Sequence, residues 1–539
     1  MKYIKLYLVL GLSLIFGSCE EFLKEEPTGS LTTESDISSY DAGVAFATGA
    51  YRALPRWTDG SSEWGGNLAG SREYATGKAA SQYMGARLWK FEADDNDGQE
   101  DYFTYPWDRW YQGVRDCNLS IKMIPTITGL SLDDQSRLLG EVRTLRSFYY
   151  FCLVRFYGDV PYNVEVLLDV SQAEQPRSSL KKIYDEIIVP DLEFAVNESK
   201  LPDGRSSGRV TRDVARVVLA DVYLTMAGYP YQEVNTDPTK NWCEEGLWSM
   251  TEYPVNSASA KDLLQKSKTQ LDYLYGKYPI GAFSDINNPA MNNKNGAIFQ
   301  IQYLAGTTDL PINYYIPMTS YTSAFTTETG TNIPSIAYHA SFNPADKRIQ
   351  DRVYFYYSDT KAKKYDVNES PADKFPQPFL YKYYDYDAVK NTARSGLNYN
   401  LYRYADVLLM LTEVNWSLRQ LGVTVSPVDI QKGINEVRVR AGLPEIQAGD
   451  LTLKDIMSER AYELIFENKM LWDMRRTRKA LKDGAGEFTA LQNFIGHQPT
   501  SFDHQFSNKH LLSPVSANEI KNNRKCSQNF SWQPVQQGQ

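Results

Sequence analysis

The chain is poor in the residues on which much enzyme chemistry depends. It holds 4 His and 5 Cys in 539 residues, and His is the commonest general base. No HExxH, GxSxG or P-loop pattern occurs, so the motif-borne routes to zinc proteolysis, acyl transfer and phosphate binding are missing. His339 stands alone, and His497, His504 and His510 are spaced unlike any zinc motif. No cofactor is expected. The cysteines show neither CxxC nor a regular interval. Cys117 and Cys152 fall in helical patterns, and Cys243 and Cys526 in loop-like stretches, which argues against a disulfide framework. Positive charge is in the minority: 57 Lys and Arg against 66 Asp and Glu, a net charge of −9. With no Lys/Arg-dense run, nothing suits nucleic-acid phosphates. The acidic run Asp94–Asp101 fails as an EF-hand. Aligning Gly98 with the loop glycine puts Ala93 and Thr104 where carboxylate ligands are required. It reads as a solvated acidic loop, with a looser calcium site as the alternative.

What is present begins at the N-terminus. Met1–Lys5 is short and basic, and Leu6–Phe16 is apolar but about half the ~20 residues a membrane span needs. This is the pattern of a signal peptide over residues 1–18. Gly17 and Ser18 before Cys19 resemble a lipobox, at which Cys19 is acylated and becomes the first mature residue; Phe16 departs from the usual Leu. Glu20, Glu21, Glu25 and Glu26 follow, resembling a surface-export signal or serving as a solvated tether over 19–35.

Aromatic content is the other distinctive feature, at 38 Tyr and 10 Trp. Many rings fall at helical spacing. Arg109–Ile124 puts Trp110, Val114, Cys117 and Ile121 on one stripe, and Asp133–Phe156 does the same with Leu138, Val142, Leu145, Phe148, Cys152 and Phe156. Further helices are expected over 179–199, 211–227, 260–276, 404–418, 429–441 and 452–478, with Gly158 and Gly442 as stops. Between 228 and 400, Pro, Asn, Gly, Thr and Tyr dominate and only the 260–276 helix is clear. Residues 297–303 alternate weakly as a strand. Long loops on a helical scaffold usually carry binding. Glu459, Glu463 and Glu467 recur every fourth residue, so cations from neighbouring elements must offset their repulsion. Arg403, Arg438, Arg440 or Arg475 are the expected partners, in a structural lattice rather than a catalytic carboxylate pair.

Several segments together resemble the SusD-like (SusD/RagB) outer-membrane nutrient-binding lipoproteins. They are Cys19–Leu23 with Pro27, Glu141–Phe151 running to Phe156–Pro161, and Gly208–Thr211 before Ala220–Leu224. Further along come Tyr402–Met410 (YRYADVLLM), Ile434–Pro444 (INEVRVRAGLP), Glu459–Arg460 through Asp473–Arg476, and Leu512–Val515 with Asn522–Asn523. Ser513 departs from the apolar residue common there. The resemblance implies a mostly α fold of tetratricopeptide-like helix pairs forming one large domain over 36–539, with a loop-rich ligand-binding face. The domain would comprise a helical half to about 227, a loop-rich centre at about 228–400, and a helical part beyond. It further implies a glycan ligand, a SusC-type TonB-dependent transporter as partner, and a lipid-anchored place in the outer membrane, facing outward. Peptide uptake within the same family, and a surface glycoside hydrolase, are the alternatives.

A sugar offers apolar C–H faces beside hydroxyls, so flat rings with polar groups at their edge suit it. Trp57, Trp64, Tyr74, Tyr83 and Trp89 lie in a stretch rich in Gly, Asn and Ser, where rings are less readily explained as core. This is also where members of the resembled family place part of their ligand site. Tyr303, Tyr314, Tyr315 and Tyr321 from the central region complete the expected platform, with Asn67 as an edge hydrogen-bond partner. The competing reading has Trp64 and Trp89 pinning their loops to the scaffold.

Overall fold

The computed structural model describes residues 39–54, 72–80, 91–92, 104–166, 172, 174–206, 208–229, 252–305, 333–356, 379–385, 387–388, 395–529 and 532. Helices dominate. α1 (Tyr40–Gly49), α2 (Thr104–Met123), α3 (Leu132–Tyr157), α4 (Val189–Asn197), α5 (Arg212–Met226) and α6 (Ala258–Leu274) each pack on the next in sequence. α7 (Tyr404–Gln420) continues this series against α6, and α8 (Pro427–Arg440) packs on α7. Nearest-neighbour stacking of helix pairs buries one continuous stripe. The core runs from Ala42 to Cys526. Among the described residues no helix is long and apolar enough to cross a membrane.

The expected stripes face the core: Trp110, Val114 and Cys117 on α2 are buried and Ile121 is half-buried against it, and Leu138, Val142, Leu145, Phe148, Cys152 and Phe156 on α3 are buried. Caps are where Ser, Thr and Gly invite them. Ser131, Thr211, Ser426 and Thr452 accept N–H groups at helix starts. Gly158 takes φ 77° at the end of α3. α7 is buried from Tyr404 to Leu418, as its unbroken apolar pattern requires. Gly433 is what lets α8 approach it, because a Cβ there would meet the Leu408 carbonyl oxygen at 2.2 Å.

The helical reading is amended at three points. The 179–199 helix contains a π-turn, Tyr184–Ile188, immediately before Pro190. Proline has no N–H to donate and crowds the preceding turn, and the wider turn accommodates it. The 452–478 helix is two helices, α9 (Leu453–Glu463) and α10 (Met470–Thr477). Between them Phe466 and Asn468 adopt φ of 60° and 61°. The break is held from outside. Lys382 Nζ donates to the Glu463 and Ile465 carbonyls at 2.9 Å each, Arg403 Nη2 to the Glu463 carbonyl at 2.7 Å, and the Asn468 N–H to Glu73 Oε1 at 2.7 Å. Thirdly, a hairpin absent from the sequence reading joins Lys479–Gly484 to Glu487–Asn493, turning at Gly486 with φ 79°.

Short antiparallel ribbons complete the frame. β1 (Ala79–Ala80) pairs with β3 (Ile333–Pro334), β2 (Ala297–Ile301) with β6 (Tyr399–Arg403), and β4 (Phe355–Tyr356) with β5 (Phe379–Leu380). The strand expected over 297–303 therefore ends at Ile301.

Candidate functional site

Two stretches of aromatic candidates share one root. Ala80 lies opposite Ile333 in the β1–β3 register, and the Ser335 N–H donates to the Lys78 carbonyl at 2.8 Å. The chain therefore leaves the described fold after Ala80, toward Tyr83 and Trp89, beside the point where it returns from 306–332, which holds Tyr314, Tyr315 and Tyr321. β5 lies against β3, so the 357–378 stretch springs from the same edge. Trp57, Trp64, Asn67, Tyr83, Trp89, Tyr314, Tyr315, Tyr321 and Cys19 all lie outside the described residues, as do Cys243 and the Asp94–Asp101 acidic run.

Two candidates are described. Tyr303, half-buried just beyond β2, is held by its N–H donating to Asn398 Oδ1 at 2.9 Å. Around it side-chain amides bond one another. Asn398 Nδ2 donates to Gln302 Oε1 at 2.8 Å, Asn293 Nδ2 to the same oxygen at 2.7 Å, and Gln300 Nε2 to Asn400 Oδ1 at 2.8 Å. Gln302 is exposed, so the cluster reaches solvent at the root of the 306–332 stretch. Tyr74 is a correction. It is 1% exposed in the core and offers no ring face to a ligand. Its neighbours Arg72 and Glu73 are equally buried and reach the α9–α10 break, which is why the Gly/Asn/Ser character of the surrounding sequence misleads there.

Beneath this edge lies the carboxylate trio, tied as the sequence suggested but by a wider set of cations. Arg348 Nη1 contacts Glu459 at 2.7 Å and Glu463 at 3.2 Å; Arg438 reaches Glu459 at 3.1 Å. Arg403 holds Glu463 at 2.6 Å and Glu467 at 2.7 Å, Arg440 pairs with Glu463, and Lys382 with Glu467 at 2.5 Å. Arg475 is used elsewhere, donating to the His510 and Arg155 carbonyls. Burial alone would raise the Glu463 carboxyl. Arg440, Arg403 and Arg348 overcome it and hold the group well below the usual carboxylate range. Burial brings the Lys382 ammonium down to about 8 against the pull of Glu467, and lifts Glu73 to about 7 against hydrogen bonds from Asn468 and Phe466. The trio is at most 3% exposed, so these carboxylates meet cations and not substrate.

Metal-type donors converge at one place among the described residues. His504 Nδ1 lies 3.1 Å from Glu92 and 3.2 Å from Asp503. Its Nε2 is buried without a hydrogen-bond partner. The contact ties position 92 to the 503–504 turn.

The sequence reading also missed a cleft of about 470 Å³ alongside α2, lined by Trp107, Asp108, Tyr111, Gln112, Asn163 and Glu519 among others. A signal was present: Asp108, Tyr111, Gln112 and Arg115 recur at helical spacing on the polar side of α2, away from the Trp110 stripe.

The comparisons with known proteins agree with one another. Residues 276–532 match the model described as the SusD family, and residues 63–224 the model described as starch-binding associating with outer membrane. A SusD-like protein of Formosa agariphila is 24% identical over 89% of this chain and 92% of its own length. The crystal structure of a SusD superfamily protein from Parabacteroides distasonis superposes with a TM-score of 0.74 at 29% identity, over 93% of this chain and 100% of that one. A surface glycan-binding protein A from Bacteroides thetaiotaomicron, solved in complex with laminarihexaose, superposes with a TM-score of 0.67 at 19% identity, over 91% of this chain and 100% of that one.

Proposed function

The chain belongs to the SusD-like family, and on that premise we propose that it is a glycan-binding lipoprotein of the outer membrane that delivers oligo- or polysaccharides to a SusC-type TonB-dependent transporter. Acylated Cys19 anchors it on the extracellular face. The protein binds its ligand and does not cleave it.

The observation that carries this reading is the β1–β3 pairing. It roots the stretch with Tyr83 and Trp89 beside the stretch with Tyr314, Tyr315 and Tyr321. Tyr303 and the amide cluster flank the same edge. Rings for the C–H faces of a pyranose and amides for its hydroxyls are the complementary chemistry. Trp57, Trp64 and Asn67 join the platform from the preceding stretch. The laminarihexaose bound by a structural neighbour supports glycan as the ligand class. The buried, fully paired glutamates support binding over hydrolysis.

The test is a binding screen over diverse glycans and peptides, with the wild type, Trp64→Ala and Trp89→Ala. Each substitution should weaken glycan binding at least tenfold, roughly 1.4 kcal/mol, with little change in melting temperature. If both variants bind as wild type, the platform lies elsewhere. Binding of peptides alone, or release of reducing ends from any polysaccharide, would replace the reading.

A further inference from the structure

The cleft beside α2 has preformed walls drawn from three parts of the chain. Tyr111 Oη donates to the Pro161 carbonyl at 2.8 Å, and Asn118 Nδ2 to the Asn163 carbonyl at 3.0 Å, fixing the 161–165 stretch against α2. Trp107 Nε1 donates to Glu519 Oε2 at 3.3 Å, fixing the short Ala517–Asn522 helix as the third wall. The volume of this open cleft, about 470 Å³, falls within the ~300–1,000 Å³ of small-molecule sites.

Polar groups on these walls are left over once the fold has used what it needs. Asp108 and Glu165 line the cleft, both open to solvent, and neither has a hydrogen-bond or ion-pair partner among the described residues. Gln112 Oε1 is taken by Arg109 at 3.0 Å, which leaves its amide N–H groups for a ligand. Tyr111 supplies a half-buried ring edge, tilted against Trp107 at 5.1 Å. Partial burial lifts the Asp108 carboxyl, with Arg109 pulling it down and Glu519 pushing it up. Glu519, Arg109 and Arg115 also line the cleft, three carboxylates against two guanidiniums, and Arg115 is already paired with Asp116 at 3.1 Å. That excess of carboxylate disfavours an anionic ligand. Acceptors, amide donors and an aromatic edge in one cleft suit a neutral polyhydroxylated ring, whose hydroxyls both donate and accept.

We propose that this cleft is a second saccharide-binding site, separate from the aromatic platform, that takes a neutral sugar unit with Asp108 and Glu165 accepting from its hydroxyls and Gln112 donating to them. The inference rests on the glycan-binding reading of the protein. Two sites on one protein hold a polymer more firmly than either alone, because the second contact forms at high effective concentration.

The experiment is affinity electrophoresis of the full chain through gels containing laminarin, starch, xylan, galactomannan, pectin or alginate. The wild type runs beside Asp108→Ala/Glu165→Ala and beside Trp64→Ala/Trp89→Ala. For at least one neutral polysaccharide that retards the wild type, the cleft variant should show at least a tenfold rise in apparent Kd at unchanged melting temperature. Glu165→Ala alone alters an exposed side chain without a structural partner, so its loss of affinity supports the site even if the double variant melts early. Retardation unchanged in both cleft variants overturns the second site, and loss of retardation in the tryptophan variant alone then leaves the main reading standing. Retardation of the wild type only by the acidic polymers, pectin and alginate, overturns the neutral-sugar assignment. If no polysaccharide retards the wild type, both readings fall.

Discussion

Arg476 on α10 grips Glu413 on α7 through two parallel hydrogen bonds of 2.5 and 2.6 Å, with both side chains 2% exposed or less. Tyr253 Oη donates to the same carboxylate at 2.7 Å, and Asp473 shares the guanidinium at 2.7 Å. Removing one partner of such a pair strands the other charge in the core, at a cost of about 3–5 kcal/mol. Glu413→Gln and Arg476→Met should each lower the stability measured by denaturant unfolding by that amount. Losses under about 1 kcal/mol in both would mean that the surrounding core relaxes around the stranded charge.

The buried carboxyls set the response to pH in two opposite directions. Glu463 and Asp406 are held below their ordinary values, in each case by cations that overcome burial. Their contribution is present above the ordinary carboxyl range of about 4 and is lost as the pH falls through their folded values. The protein should therefore unfold in strong acid. Glu73 is raised by burial from 4.5 to about 7. Its contribution is present below pH 4.5 and is lost between 4.5 and 7, as the folded group is forced to ionise. Glu73→Gln should flatten the stability curve over that window and gain on the wild type at about pH 8, by up to a few kcal/mol. Parallel curves for the two proteins from about pH 5 to 8 would count against this.

Two glycines should respond oppositely to alanine. A Cβ at Gly433 meets the Leu408 carbonyl oxygen at 2.2 Å and Thr412 Oγ1 at 2.7 Å, so α8 must move off α7. The overpacking cost of about 1–3 kcal/mol outweighs a helix-propensity gain of up to about 1 kcal/mol. A Cβ added at Gly49, the last residue of α1, meets nothing within 4 Å, and there the gain stands alone. Melting temperatures of Gly433→Ala and Gly49→Ala should move down and up respectively.

For the proposed anchor, Cys19→Ala should shift the protein from the membrane to the soluble fraction, since stable attachment needs more than one acyl chain. Membrane association that persists without a partner expressed would contradict acylation at Cys19. Mild-detergent pull-down of the native protein should co-purify a TonB-dependent barrel, and recovery of the protein alone would count against the transporter partnership.

Local rules sufficed for much of this protein. Apolar spacing specified α2, α3, α5, α6 and α7, and Ser, Thr or Gly marked ends of α3, α5 and α6, because helix formation and capping depend on residues three or four apart. The repeated glutamates announced a cation lattice, although only folding showed that Arg348 and Lys382 join it and that Arg475 does not. What local rules missed has a common cause in partners distant along the chain. The helix expected over 452–478 breaks because Lys382, Arg403 and Glu73 take up its backbone groups. Tyr74 is core because its segment packs inward, whatever its loop-like neighbours suggest. The cleft exists because Pro161, Asn163 and Glu519 come to the polar side of α2. The root shared by the two aromatic stretches is a pairing of Ala80 with Ile333. Spacing along a helix carries no information about such meetings. They are decided when burial of the core brings the elements together, and the candidate site is made of them.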